Sequence, residues 1–117
     1  MSDLRDRYLA CWNAVDAGER ADLIAESWAP GATYVDPLVD VAGTADLSAT
    51  IAGVHEQFPG FVFTPVGDAD AHHGVTRFQW GLGPAGAEPV VVGFDVLTVG
   101  ADGKITSVAG FLDKVPA

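Results

Sequence analysis

Two aspartates stand where carboxylates are costly. Asp36 precedes Pro37 at the end of a short β-rich run, Ala32-Thr33-Tyr34-Val35. Asp95 interrupts the most apolar stretch of the chain, from Pro89 to Val99. A carboxylate inside a buried strand has to be paired, hydrogen-bonded or held neutral. Two such groups in one small domain point to a pocket that sets their protonation states apart, which is how acid–base sites are built. Asp36 is the candidate general base. It could move a proton between carbons of a bound enone, or deprotonate a polyketide methylene. Asp95, held neutral in a cavity, could donate to a developing oxyanion. Each has a plainer reading. Asp-Pro also starts turns and caps nearby amides. Asp95 could instead be a buried structural partner of Arg77 on the neighbouring strand, or tie a strand to the first helix.

Other side chains join them as candidates. Tyr8 and Trp12 lie on the inner face of the first helix, where aromatic residues are core by default. A buried Tyr8 hydroxyl needs a partner, which favours a place on the cavity wall. Tyr34 shares the strand parity of Asp36 and is an alternative hydroxyl donor. His55, one turn after Ile51, could edge into the cavity and titrate near neutrality, or face solvent as helix histidines also do. Arg77 and Gln79 share one strand face, and an ion pair with an acidic neighbour is the simpler role for Arg77. Phe58 and Phe63 are expected among residues shared between cavity wall, helix packing and subunit surface. These seven residues, Trp12, Tyr34, His55, Phe58, Phe63, Arg77 and Gln79, are the expected ligand contacts. His72 and His73 are consecutive beside a turn and make a poor chelate pair, so no metal is expected.

The chain has 117 residues, 49% of them apolar, enough for one domain over 1–117 with its own core. The net charge is −10 and the Lys and Arg residues do not cluster. A phosphate backbone needs a basic stripe, so nucleic acid is not an expected partner. There is no P-loop and no Gly-x-Gly-x-x-Gly opening a helix. No apolar run is long enough for a bilayer, so no membrane partner is expected. The run Met1 to Arg7 lacks the apolar segment of a secretory signal. Cys11 is the single cysteine, which fits a reducing compartment and an expected cytoplasmic location.

The elements that must position these residues can be read from spacing. Leu4, Tyr8, Cys11, Trp12 and Val15 give residues 3–17 one helical face, with Gly18 as a stop. A second helix covers about 21–28, ended by Pro30-Gly31. Residues 32–35 form a short strand, and 40–43 a loop. Gly43-Thr44 supplies the N-cap of a third helix over 45–58, with Leu47, Ile51, Val54 and Phe58 inward. Four strands follow, at 61–69, 75–82, 89–99 and 104–114, and Gly100-Ala101-Asp102-Gly103 is a strong hairpin signal. The expected fold is α+β, three helices against a mostly antiparallel sheet that ends in a four-strand meander. The strand at 89–99 is apolar on both parities, which a sheet with one solvated face would not be. A homodimer through the outer sheet face is the simplest cover.

Three stretches carry a resemblance. They are Tyr8-Leu9-Ala10-Cys11-Trp12-Asn13-Ala14, Ala32-Thr33-Tyr34-Val35-Asp36-Pro37, and Gly93 to Ile105. With them nearly the whole chain resembles the nuclear transport factor 2-like superfamily, in its SnoaL-like and ketosteroid isomerase-like branch. The resemblance implies a curved sheet wrapped round the first helix, a cystatin-like cone with an apolar cavity. It implies Asp36 as base, Tyr8 as an oxyanion donor and Asp95 as a protonated donor, with no cofactor. Limonene epoxide hydrolases of this superfamily carry Arg-x-Asp on a comparable strand. Here Gln79 takes the second position and cannot act as an acid or base, which argues against epoxide hydrolysis. The expected function is cofactor-free proton transfer, of isomerase or cyclase type, on a small hydrophobic carbonyl compound. The alternatives are a non-catalytic binder of a hydrophobic ligand and a dimeric interaction module.

Overall fold

The computed structural model describes residues 3–116. Met1, Ser2 and Ala117, the ends of the domain expected over 1–117, lie outside the described residues. The elements are α1 (Asp3–Asn13), α2 (Ala17–Ser27), β1 (Trp28–Val35), β2 (Asp40–Ala42), α3 (Thr44–Gln57), β3 (Phe61–His72), β4 (Val75–Pro84), β5 (Val91–Val99) and β6 (Ile105–Lys114). The strands form one sheet in the order β2-β1-β6-β5-β4-β3. Every pairing is antiparallel except β1 with β6. The expected α+β architecture, three helices and a final meander, is the one observed.

The first helix is shorter than its apolar stripe suggests. It ends at Asn13, and Val15 is 73% exposed rather than inward. The stop is Asp16, whose carboxylate accepts from the Glu19 amide at 2.8 Å and so caps α2 before Gly18 is reached. Arg20 of α2 is buried, with Nε donating to Ser48 Oγ at 2.8 Å and NH1 to Ala14 O at 2.9 Å. It ties the helices together beneath the sheet. Asn13 does the same for α1 and β3. Its amide donates to Phe63 O and its carbonyl accepts from Phe63 N, so it closes the outer edge of β3 there.

Two strand boundaries differ from expectation. β1 begins at Trp28 and runs through Pro30-Gly31, because a register shift between Trp28 and Thr33 accommodates a proline that cannot donate. The expected loop at 40–43 contains β2, three residues paired with Thr33–Val35. No N-cap side-chain bond forms at Gly43.

On the inner face of the sheet Phe63, Phe78, Trp80, Leu82, Val91, Leu97, Ile105 and Val108 are buried with Tyr8, Trp12, Ile24, Leu47 and Ile51 of the helices. On the outer face Phe111 is 56% and Val35 41% exposed. Among the described residues no helix is long and apolar enough to cross a membrane.

Candidate functional site

Asp36 stands one residue beyond β1, and Asp95 sits in the middle of β5. The strand β6 lies between them, pairing Ala109 with Val35 on one side and Gly110 with Asp95 on the other. A Cβ built on Gly110 would lie 2.7 Å from Asp95 Oδ1 and 3.4 Å from Asp36 Cβ. The two acids therefore flank one point over the strand, and the bare Cα of Gly110 leaves the room they occupy. Both line a cavity of about 580 Å³ walled by the inner sheet face, α1 and α3. That volume suits a small organic molecule.

The hydrogen bonding of the two acids differs. Asp36 is half-buried at the turn. Its Oδ1 accepts from the Leu38 and Val39 amides at 2.8 and 3.0 Å, and Oδ2 from the Tyr34 hydroxyl at 2.6 Å. Asp95 is 2% exposed. Its Oδ2 accepts from the Tyr8 hydroxyl at 2.6 Å, while Oδ1 is buried without a hydrogen-bond partner. Burial pushes the Asp95 carboxyl up to about 6. The Tyr8 hydrogen bond and the Trp80 indole N–H oppose the rise, and the charge of Asp36 adds to it. Trp80 Nε1 makes no hydrogen bond, so it acts on Asp95 as a nearby dipole.

Both tyrosines are held as proton-bearing donors. Burial, then the charge of Asp95, pushes Tyr8 well above the ordinary phenol range. Burial and the charges of Asp95 and Asp36 do the same to Tyr34. Four groups thus share one end of the cavity as two Tyr–Asp pairs. Beside them runs a continuous aromatic wall. Ring centroids are 5.4 Å apart for Tyr34–Trp12, 5.4 Å for Trp12–Phe63 and 5.2 Å for Phe63–Trp80.

Among the residues expected from the sequence, Tyr8, Trp12, Tyr34, Asp36, Phe58, Phe63 and Asp95 line this cavity. Three do not, and their expected ligand contacts are corrected. His55 Nε2 donates to Trp12 O at 2.7 Å, which turns the ring onto the α1 backbone. Arg77 is 60% exposed and pairs with Asp70 at 3.2 Å on the outer face. Gln79 shares that face and donates to Asp113 at 2.9 Å. Because Arg77 faces outward, it is not the partner of Asp95, which lies opposite Phe78. The Tyr8 hydroxyl, on the cavity wall as expected, donates to Asp95 and so orients that carboxyl.

Trp80 is a lining residue that the sequence reading left aside. Its ring lies flat over Gly93, where any Cβ would fall inside the indole. A glycine within an apolar strand signals such an approach. Leu38, 80% exposed, and Val115, 57% exposed, also border the cavity and put apolar side chains at its mouth. Cys11 is fully buried and its thiol is pushed up to about 11 by burial, which leaves it inert. Among the described residues no group of three His, Cys, Asp or Glu could hold a metal.

Comparison with known proteins matches this architecture. A candidate isomerase of the SnoaL-like family from Agrobacterium tumefaciens C58 is 37% identical, with a TM-score of 0.89 over 94% of each chain. A candidate polyketide cyclase from Sinorhizobium meliloti is 15% identical, with a TM-score of 0.72 over 94% of each chain. A nuclear transport factor 2-like protein of unknown function from Exiguobacterium sp. 255-15 is 22% identical, with a TM-score of 0.74 over 94% of this chain and 98% of the other. The last two likenesses concern the fold alone. Among curated proteins none matches the chain. The model of the SnoaL-like domain matches residues 6–108, and the chain belongs to the SnoaL-like family.

Proposed function

We propose that the protein is a small-molecule enzyme that moves a proton on a hydrophobic carbonyl compound without a cofactor. One observation carries this reading: Asp36 and Asp95 flank Gly110 at one end of an apolar cavity, yet sit in different surroundings. Asp36 Oδ2 takes a proton from the carbon next to the ligand carbonyl. The neutral form of Asp95 hydrogen-bonds the enolate oxygen. Tyr8 holds Asp95 in place and Tyr34 holds Asp36. For an isomerase, Asp36 returns the proton to a different carbon of the same ligand. For a cyclase, the enolate carbon attacks a second carbonyl of the ligand, and the new alkoxide takes the proton from Asp36. Both sequences balance without redox chemistry. The name of the Agrobacterium relative is consistent with the first of them.

The test is solvent deuterium uptake into the methyl group of 2-acetylnaphthalene, followed by NMR, together with conversion of a 3-keto-Δ5-steroid to its Δ4 isomer. The Asp36→Asn variant should lose about 10²–10⁴ of the rate, the usual contribution of a positioned base. A rate unchanged by that substitution removes Asp36 as the base.

A second reading has its own support. Three donors already point at Asp36, as in a turn whose aspartate is structural. The same cavity would then bind a hydrophobic ligand without chemistry. Stabilisation of the fold by lipophilic ketones, with no Asp36-dependent exchange, selects this reading.

The outer sheet face, where Phe111 and Val35 are exposed, is read as the contact between two copies of the chain. A reducing, cytoplasmic setting suits the single buried cysteine.

A further inference from the structure

The cavity's lining includes two carboxyl groups, and among the described residues no Arg, Lys or His. The cations with visible partners are engaged elsewhere. Arg5 donates to Gly67 O, Arg20 to Ala14 O, and Lys104 and Lys114 to the carbonyls of Ala25 and Pro89. Arg77 is on the opposite face of the sheet. A guest carboxylate or phosphate in this cavity would meet Asp36 with no counter-ion. Its burial would leave two like charges in a medium of low dielectric.

We propose that the cavity sorts its guests by charge: it admits neutral and basic lipophilic molecules and turns away carboxylates and phosphate esters. This rests on the reading of the cavity as the ligand site. It narrows the substrate class, because a free acid, a phosphorylated compound or a coenzyme A thioester is excluded, while a ketone, ester, amide or lipophilic amine is not. Asp36 is the main agent of exclusion, since it is the acid nearer the surface.

Three probes of one shape test the sorting: 2-acetylnaphthalene, 2-naphthoate and 2-naphthylmethylammonium. Binding to the purified chain is measured by calorimetry at pH 7.5. The ketone and the ammonium should each bind at least tenfold more tightly than the carboxylate. In Asp36→Asn the gap between ammonium and carboxylate should shrink at least threefold. Gln57→Lys is the second variant. Gln57 is exposed on the cavity wall at the end of α3, so a lysine fits there without disturbing the core. It should tighten 2-naphthoate about fivefold and weaken the ammonium.

A carboxylate that binds within threefold of the ketone overturns the sorting, as does a Gln57→Lys variant with an unchanged order. Absence of binding by all three probes overturns it too. The two proposals fail separately. Asp36-dependent deuterium exchange with indifferent charge preference leaves the proton transfer and removes the sorting. The predicted order without exchange does the reverse.

Discussion

The Tyr8 hydroxyl donates to Asp95 Oδ2 across 2.6 Å, joining α1 to β5 inside the core. The bond favours the ionised carboxyl and so opposes the effect of burial. Tyr8→Phe keeps the ring contacts with Trp28 and Phe78 and removes only this donor. The Asp95 midpoint should then rise above about 6, read from the carboxyl carbon by NMR titration. Stability at neutral pH should drop by about 1–3 kcal/mol, because Asp95 keeps its charge with one partner fewer. A midpoint that moves down would show that Tyr8 does not set the Asp95 proton.

Asp95 also makes stability depend on pH, and the sign can be fixed. Its folded value, about 6, lies above the ordinary 3.8, so the fold prefers the neutral form. That preference is fully present below the ordinary value and is lost as pH rises through the folded one. It corresponds to about 3 kcal/mol at most. Asp95→Asn, neutral at every pH, should match the wild type near pH 4 and exceed it by up to about 3 kcal/mol at pH 8. Urea unfolding of both proteins at the two pH values measures the difference. An Asn variant less stable at pH 8 would mean that the charged form is the better accommodated one.

The same titration shapes the proposed reaction. Asp95 must hold its proton to serve the enolate, so kcat/KM should fall as pH climbs past about 6. In Asp95→Asn that alkaline decline should vanish, with a lower rate throughout. Rates of deuterium uptake between pH 4.5 and 8.5 provide the profile.

Much of this architecture is written locally. The stripe Tyr8, Cys11 and Trp12 marks the buried face of α1, and Pro59-Gly60 marks the turn into β3. The parity set of Gly93, Asp95 and Leu97 is readable too, and it proves to be the inner one. What local pattern does not reveal is which parity faces inward where both are apolar. β4 is not such a strand: Phe78, Trp80 and Leu82 alternate there with Arg77 and Gln79, so the outward place of these two polar residues is legible in the sequence and the expected ligand contacts run against it. Local pattern also says nothing of the parallel pairing of β1 with β6, a contact between distant segments. The meeting of Asp36 with Asp95 depends on that pairing. The three-residue strand β2 is too short to leave a period.

The outer face offers a prediction independent of the cavity. Phe111 lies opposite Phe94 on the neighbouring strand, and both stand on the face away from the helices. If two copies meet there, Phe111→Glu should place a charge in the contact and yield a monomer with an unchanged circular dichroism spectrum. Light scattering on wild type and variant decides it. A wild type that is monomeric at about 100 µM, where a contact worth more than about 5.5 kcal/mol would pair the chains, removes the proposed contact.

Gly110 sets how closely the two acids can approach. It pairs with Asp95 across β5 and β6, and a methyl group at its Cα would sit 2.7 Å from Asp95 Oδ1. That is closer than two such atoms can pack, so in Gly110→Ala the carboxyl has to turn away or the strand has to shift. Such overpacking costs about 1–3 kcal/mol, which a core of this size can bear. The informative quantity is the influence of one acid on the other. In the wild type, Asp36→Asn should lower the Asp95 midpoint, because the charge of Asp36 helps to raise it. In the Gly110→Ala background the same substitution should move it less, since the carboxyl groups no longer share one point. NMR titration of the four proteins closes this cycle. An equal shift in both backgrounds would show that the acids communicate from fixed places, with Gly110 serving only to pack the strand.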